Sequence, residues 1–220
     1  MPLPPTIPPT RRLTGSTNII WSCGPEEILR ATVTRDVFDK REITLFDGTM
    51  KECELVNRTR LTVKSKGTID NMSVIFGSEL VIVNPKANVQ NIYLFNGVLT
   101  LFNGATVKNV FADAGSLVVL RNGSKIENIY LSNKSVIKSY ASSITNIALE
   151  TGSRLLPRKG SIITNYGKTM DAYASQAKNV EWHNQYDTNC PAYTTLVASI
   201  KHAVAPQYSF SYSTLPHRPV

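Results

Sequence analysis

The stretch Ala105-Thr-Val-Lys-Asn-Val-Phe-Ala-Asp-Ala-Gly-Ser-Leu-Val-Val-Leu-Arg-Asn-Gly-Ser, ending at Ser124, carries the fold signal, because the chain spells the same pattern several times over. Aligned on Met50, Ile69, Val89, Val107, Ile126, Ile144 and Ile163, seven repeats follow one another at spacings of 18 to 20 residues. Apolar residues stand three places after each anchor (Cys53, Met72, Ile92, Val110, Ile129, Ile147, Tyr166) and five places after it (Leu55, Val74, Leu94, Ala112, Leu131, Leu149). A third set lies about eleven places on: Leu61, Leu80, Leu99, Val118, Ile137 and Leu155. The two-residue alternation is that of a strand with one buried face.

Two polar columns mark corners. Two places after the anchors stand Glu52 and then Asn71, Asn91, Asn109, Asn128, Asn146 and Asn165. Asparagine tolerates the left-handed backbone, and its amide can bond the same group one repeat away, so these six residues are expected to form a ladder. Eight places after the anchors, Gly77, Gly97, Gly115 and Gly152 suit a turn with positive φ, with Arg58 and Lys134 as exceptions. Each repeat therefore reads as three short strands and three corners. A unit of this size cannot bury its own apolar face, whereas stacked units share a continuous core. The expected fold is all-β: a single-stranded parallel β-solenoid (β-helix) of about seven rungs over residues 42 to 166, with short helical caps and extended terminal arms.

The same segments resemble the 19-residue passenger repeats of AIDA-type autotransporter adhesins, in which a Gly-Ser-Leu-x-Val strand follows a glycine turn. The resemblance covers residues 50 to 165. It implies the solenoid fold and an adhesin role, although no export signal precedes the repeats and no room for a membrane barrel follows residue 166.

Outside the repeats, residues 1 to 23 read as a proline-rich arm and 24 to 41 as an N-terminal cap. Within that cap, Gly24 to Arg30 is expected to be a short helix, with Pro25 in its first turn and Glu26 and Glu27 at its positive end. Residues 167 to 205 form a C-terminal cap. Its helix starts at Pro191 and places Leu196, Ile200, Ala203 and Val204 on one face, to close the end of the rod or dock on its flank. Residues 206 to 220 form a second arm, in which Tyr208, Phe210 and Tyr212 alternate with serine, a pattern suited to strand addition on a partner's sheet.

The formal net charge is +8, from basic residues scattered through the sequence without runs. This suits a solvated basic surface; nucleic acid is not expected as a partner. Cys23, Cys53 and Cys190 form neither a disulfide framework nor a metal motif. There is no apolar run of membrane-spanning length and no charged and apolar leader, so a cytoplasmic or intra-particle location is expected.

Neither a cofactor nor a metal is expected. His183, His202 and His217 all lie outside the repeats. Asp113 and Glu150 would stand two rungs apart, near the upper limit for an inverting glycosidase pair, with Ser132 between them. They read as solvated charges. The residues with the most binding potential are Tyr93, Phe111 and Tyr130, one per rung at offset four, expected to point outward as an aromatic column for a sugar, a protein or a terminal segment of the same chain. A weaker basic column, Lys64, Arg121 and Arg158, is interrupted by Asn84, Phe102 and Ser139. The expected function is a non-catalytic structural or assembly component, such as part of a virion, a phage particle or a large complex, tethered to other subunits by its arms into an oligomer. The alternatives are an adhesin-like module that binds glycan through the aromatic column and, third, a polysaccharide-acting enzyme.

Overall fold

The computed structural model describes residues 11–16, 26–150, 152–186 and 191–204. The chain is a parallel β-solenoid of about eight turns, with one helix among the described residues. Every strand pairing is parallel, each rung lying on the one before. At a strand spacing of roughly 4.8 Å the rod is about 38 Å long.

One rung shows the plan. The strand Arg60–Val63 forms face A, and a loop then leads to Thr68–Ile75. That longer strand is bent at Asn71, whose φ of 53° lies in the left-handed region. Its first part forms face B and its second part face C. A short turn at Phe76 and Gly77, with φ of 53° and 77°, returns the chain to Glu79–Ile82 on face A, directly over Arg60–Val63. The bend recurs with positive φ at Arg35, Glu52, Asn91, Asn109, Asn146, Asn165 and Asn184.

The inward columns are those that the repeat predicts. The seven anchors and the columns at offsets three, five and about eleven are buried throughout. They make one continuous core from Ile28 to Ala172. Alternation places the side chains inside, and in-register stacking removes them from water; a buried Leu or Ile gains about 1.5–3 kcal/mol.

The coil extends beyond residues 42 to 166. Residues 26–30, expected to be helical, are the start of the strand Glu26–Thr34, and Ile28, Ala31 and Val33 face the core. Pro25 and the two glutamates are local helix signals, but the aliphatic alternation gains a strand partner on both sides and prevails. Within the expected arm, Arg11–Ser16 is a strand paired in parallel with Glu26–Thr34. The remainder of that arm, residues 1–10 and 17–23, lies outside the described residues, as does the C-terminal arm, 206–220. At the other end the coil continues to Glu181–Tyr186, which pairs with Ile162–Lys168. There Lys168 and Gln185 stand at inward positions; Lys168 Nζ donates to the Ala172 carbonyl, and Gln185 is exposed. Polar residues at these positions leave the last rung wet.

The glycine column needs one correction. Gly77, Gly115 and Gly152 have positive φ, but Gly97 does not. The strand register places Gly97 between Ser78 and Ser116, in a buried corner column with Thr59, Ser135 and Ser153. A second column of small residues at the face A to face B corner runs Ala31, Gly48, Gly67, Ala87, Ala105, Ser124, Ser142 and Ser161. At Gly48 a Cβ would come within 2.7 Å of the Ala31 carbonyl oxygen, so that rung admits no side chain, and the other rungs hold nothing larger than a methyl or hydroxymethyl group in the bend.

Candidate functional site

Offset four follows the apolar offset three on the same strand, so its side chains leave face C outward. Tyr93, Phe111 and Tyr130 stack in register there, with ring centroids 5.3 and 4.9 Å apart. The same column continues through Ala148, Gly167 and Tyr186. Three rings, two small residues and another ring make a ridge with a notch in it.

Helix α1 (Pro191–Val204) lies on this ridge. It docks on the flank of the rod and not across its end. Tyr193 fills the notch, 4% exposed, and a Cβ at Gly167 would stand 2.4 Å from Tyr193 Cδ2. Ile200 and Val204 bury against the same cluster, joined by Leu196 and Ala203, and Lys201 Nζ sits 4.5 Å from the centre of the Tyr130 ring. Tyr130 donates its hydroxyl hydrogen to Glu150 Oε2 at 2.5 Å, and Tyr193 donates to the Leu149 carbonyl at 3.4 Å. Burial first, and the neighbouring Glu150 carboxylate second, hold both phenols well above their usual range. The column read as a ligand or partner site is thus the seat of the chain's own helix. Tyr193→Ala is expected to release α1, since truncating a large buried ring costs about 3–5 kcal/mol. Hydrogen exchange should then show residues 191–204 unprotected while the rod's strands keep their protection.

The two acids serve the same architecture. Asp113 Oδ1 accepts from the Ala114 amide at 2.8 Å, from Ser132 Oγ at 2.9 Å and from Asn133 Nδ2 at 2.6 Å. Glu150 is the acceptor for Tyr130. Both carboxylates are occupied in tying one rung to the next.

The asparagine ladder is continuous from Asn91 upward. Asn109 donates to Asn91, Asn128 to Asn109, Asn146 to Asn128 and Asn165 to Asn146, at 2.8 to 2.9 Å. It gains Asn184, which donates to Asn165 at 3.0 Å. Below Asn91 the pattern changes: its amide donates to Asp70 Oδ1, next to the expected Asn71. At the start of the rod, an Arg35 to Glu52 ion pair at 2.6 Å holds the same corner.

The basic column changes character once the strand register is known. Lys64 follows Val63, which pairs with Leu45 and Ile82, so its neighbours are Phe46 and Val83. Arg121 pairs with Tyr140 and stands over Phe102. The interrupting residues Asn84 and Ser139 fall out of the column because the loops differ in length by a residue. Phe46, Lys64, Val83, Phe102, Arg121, Tyr140 and Arg158 run up the outside of the face A to face B corner. The Arg121 guanidinium lies 5.8 Å from the Phe102 ring centre and 5.4 Å from that of Tyr140.

His183 lies beside Glu181 on the last rung and His202 is exposed on α1; His217 is outside the described residues. Among the described residues, no group of three His, Cys, Asp or Glu side chains could hold a metal ion, and no helix is long and apolar enough to cross a membrane. Cys23 and Cys190 are outside the described residues. Cys53 is buried in the core, and burial pushes its thiol up to about 11. Iodoacetamide at pH 8 should therefore leave Cys53 unmodified in the native protein and alkylate it in urea, as peptide mass mapping would read.

Stacked rungs with one helix bound along a flank make this a helix-strapped parallel β-solenoid. Comparison with protein-family models, with curated proteins and with solved structures finds no match for the chain.

Proposed function

We propose that this protein is a non-catalytic structural or assembly module, a rigid spacer that packs against a neighbouring subunit. The observation that carries this reading is the difference between its three outer faces. Face C is covered by α1 over the rungs from Tyr93 to Tyr186. Face B turns outward mostly polar residues, among them Lys51, Asp70, Gln90, Lys108 and Glu127. Face A turns Val98, Leu117, Val119 and Val136 outward, all partly exposed, while α1 packs elsewhere. This apolar strip is flanked by the Arg60–Glu79 ion pair toward one end and by Lys138 and Arg154 toward the other. A flat apolar patch within a charged rim has the composition of a protein contact.

Light scattering of the full chain over a concentration series tests this. The mass is expected to rise above that of a 24.3 kDa monomer and to return to it in Leu117→Lys, which alters an outward side chain and spares the core. A monomer at every concentration, or an assembly indifferent to Leu117→Lys, would remove the support for this contact. A parallel series without residues 1–10 and 205–220 separates a contribution of the arms. The adhesin-like alternative, drawn from the resemblance over residues 50 to 165, would require a glycan to displace α1 from Tyr93, Phe111 and Tyr130. The geometry favours the assembly reading over it.

A further inference from the structure

We propose that the outer edge between faces A and B is a binding site for a linear acidic polysaccharide. The edge consists of eight stacked corner segments: residues 46–48, 64–67, 83–87, 102–105, 121–124, 140–142, 158–161 and 176–179. They carry seven cations, Lys64, Lys66, Lys86, Arg121, Arg158, Lys159 and Lys178, against one carboxylate, Asp47. Asp47 already accepts from Ser65 Oγ at 2.8 Å. Along the sequence these cations are spread over five corner segments between residues 64 and 178; stacking brings them into one stripe. Most of the excess behind the net charge of +8 is thus concentrated on one of the rod's three edges.

The stripe is built to stay charged and open. All seven cations are exposed. The ion pairs Arg35–Glu52, Arg60–Glu79 and Lys108–Glu127 involve none of them. Phe46 holds the Lys64 ammonium, and Phe102 and Tyr140 the Arg121 guanidinium, through cation–π contacts at 5.4 to 6.0 Å, so these two cations are pre-positioned.

Geometry selects the kind of polyanion. Stacking gathers the cations into a stripe that follows the line of the rod axis in steps of roughly 4.8 Å per rung, with two cations each on the corners 64–67 and 158–161. An extended polysaccharide bearing sulfates or carboxylates keeps its anions along such a line for the length of the rod. The phosphates of a nucleic acid duplex wind away from it. Single-stranded nucleic acid would need open ring faces for its bases to stack on, whereas Arg121 lies over both Phe102 and Tyr140. The site lies on a different edge from the subunit contact on face A and does not depend on it.

The test uses the full chain with heparin as probe, and with uncharged dextran and a DNA duplex at the same salt concentration for comparison. Heparin is expected to bind with an affinity that falls steeply as salt rises, because counterions are released; dextran should not bind, and the duplex should bind more weakly than heparin. Replacing Lys66, Lys86 and Lys159 with glutamine, three cations without ring contacts, is expected to weaken heparin binding by about tenfold or more. The same charge change at other corners, in Lys40→Gln, Arg58→Gln and Lys134→Gln together, should leave it within about threefold. Thermal melts of both triple variants verify folding. Equal losses in the two variants, duplex binding as tight as heparin binding, or no heparin binding at low salt would each overturn the proposal.

Discussion

Gly97→Ala is expected to be the most damaging single-methyl change in the rod. The turn from Phe95 to Val98 contains two residues, Asn96 and Gly97, where the equivalent turns from Ile75 to Glu79 and from Asp113 to Leu117 contain three. This shortcut carries Gly97 directly over the rung beneath. A Cβ there would lie 2.2 Å from the Val74 carbonyl oxygen and 3.0 Å from its carbon, so the obstacle is backbone with no side chain to swing aside. Two rungs would have to separate locally, and the Gly97 amide would lose its bond to Ser116 Oγ at 3.2 Å. A cost of about 3 kcal/mol or more follows, a fall in Tm of roughly 6–12 °C at this chain length. Gly115 and Gly123 give the contrast. Both have φ of 76° and nothing within 4 Å of where a Cβ would stand, so alanine there should cost only about 1–2 kcal/mol of backbone strain. If thermal melts place all three variants together, close backbone approach is not what Gly97 supplies.

Asn109→Leu should destabilise the rod to a similar extent for a different reason. Asn109 sits mid-ladder, donating to Asn91 at 2.9 Å and accepting from Asn128 at 2.8 Å, and its φ is 53°. Leucine removes two side-chain hydrogen bonds, worth about 0.5–1.5 kcal/mol each, and adds about 1–2 kcal/mol of strain in the left-handed region. The sum is about 3 kcal/mol. Asn109→Gly separates the two contributions, because glycine removes the amide and relieves the strain. Denaturant unfolding should place Asn109→Gly between wild type and Asn109→Leu. A glycine variant as stable as wild type would mean that the ladder adds nothing.

Much of this architecture is legible without coordinates. The apolar columns at Met50, Cys53, Leu55 and Leu61 and their successors are defined by alternation, which is local, and repetition tells a reader that the same faces must stack. The asparagine corner is legible for the same reason, because one residue type satisfies both the backbone conformation and the bond to the next rung. Where two signals competed locally, sequence was a poorer guide. Pro25 and the adjacent glutamates suggest a helix, yet residues 26–30 are strand because Arg11–Ser16 and Glu42–Leu45 lie on either side.

Register across rungs is where counting residues fails. A loop longer or shorter by one residue shifts a column, so Gly97 belongs with the buried serines and Tyr140, not Ser139, stands beside Arg121. The basic edge exists only in that register. The seat of α1 likewise depends on Ala148 and Gly167, unremarkable residues in sequence whose small size leaves a notch for Tyr193, more than 20 positions away. The coil, its core and its polar corner were readable from the order of residues alone, because they follow from a short period repeated along the chain. Which outer face is covered, which is apolar and which edge gathers the charge depended on the folded rod, because those properties arise between side chains about 20 residues apart that meet only when the rungs stack.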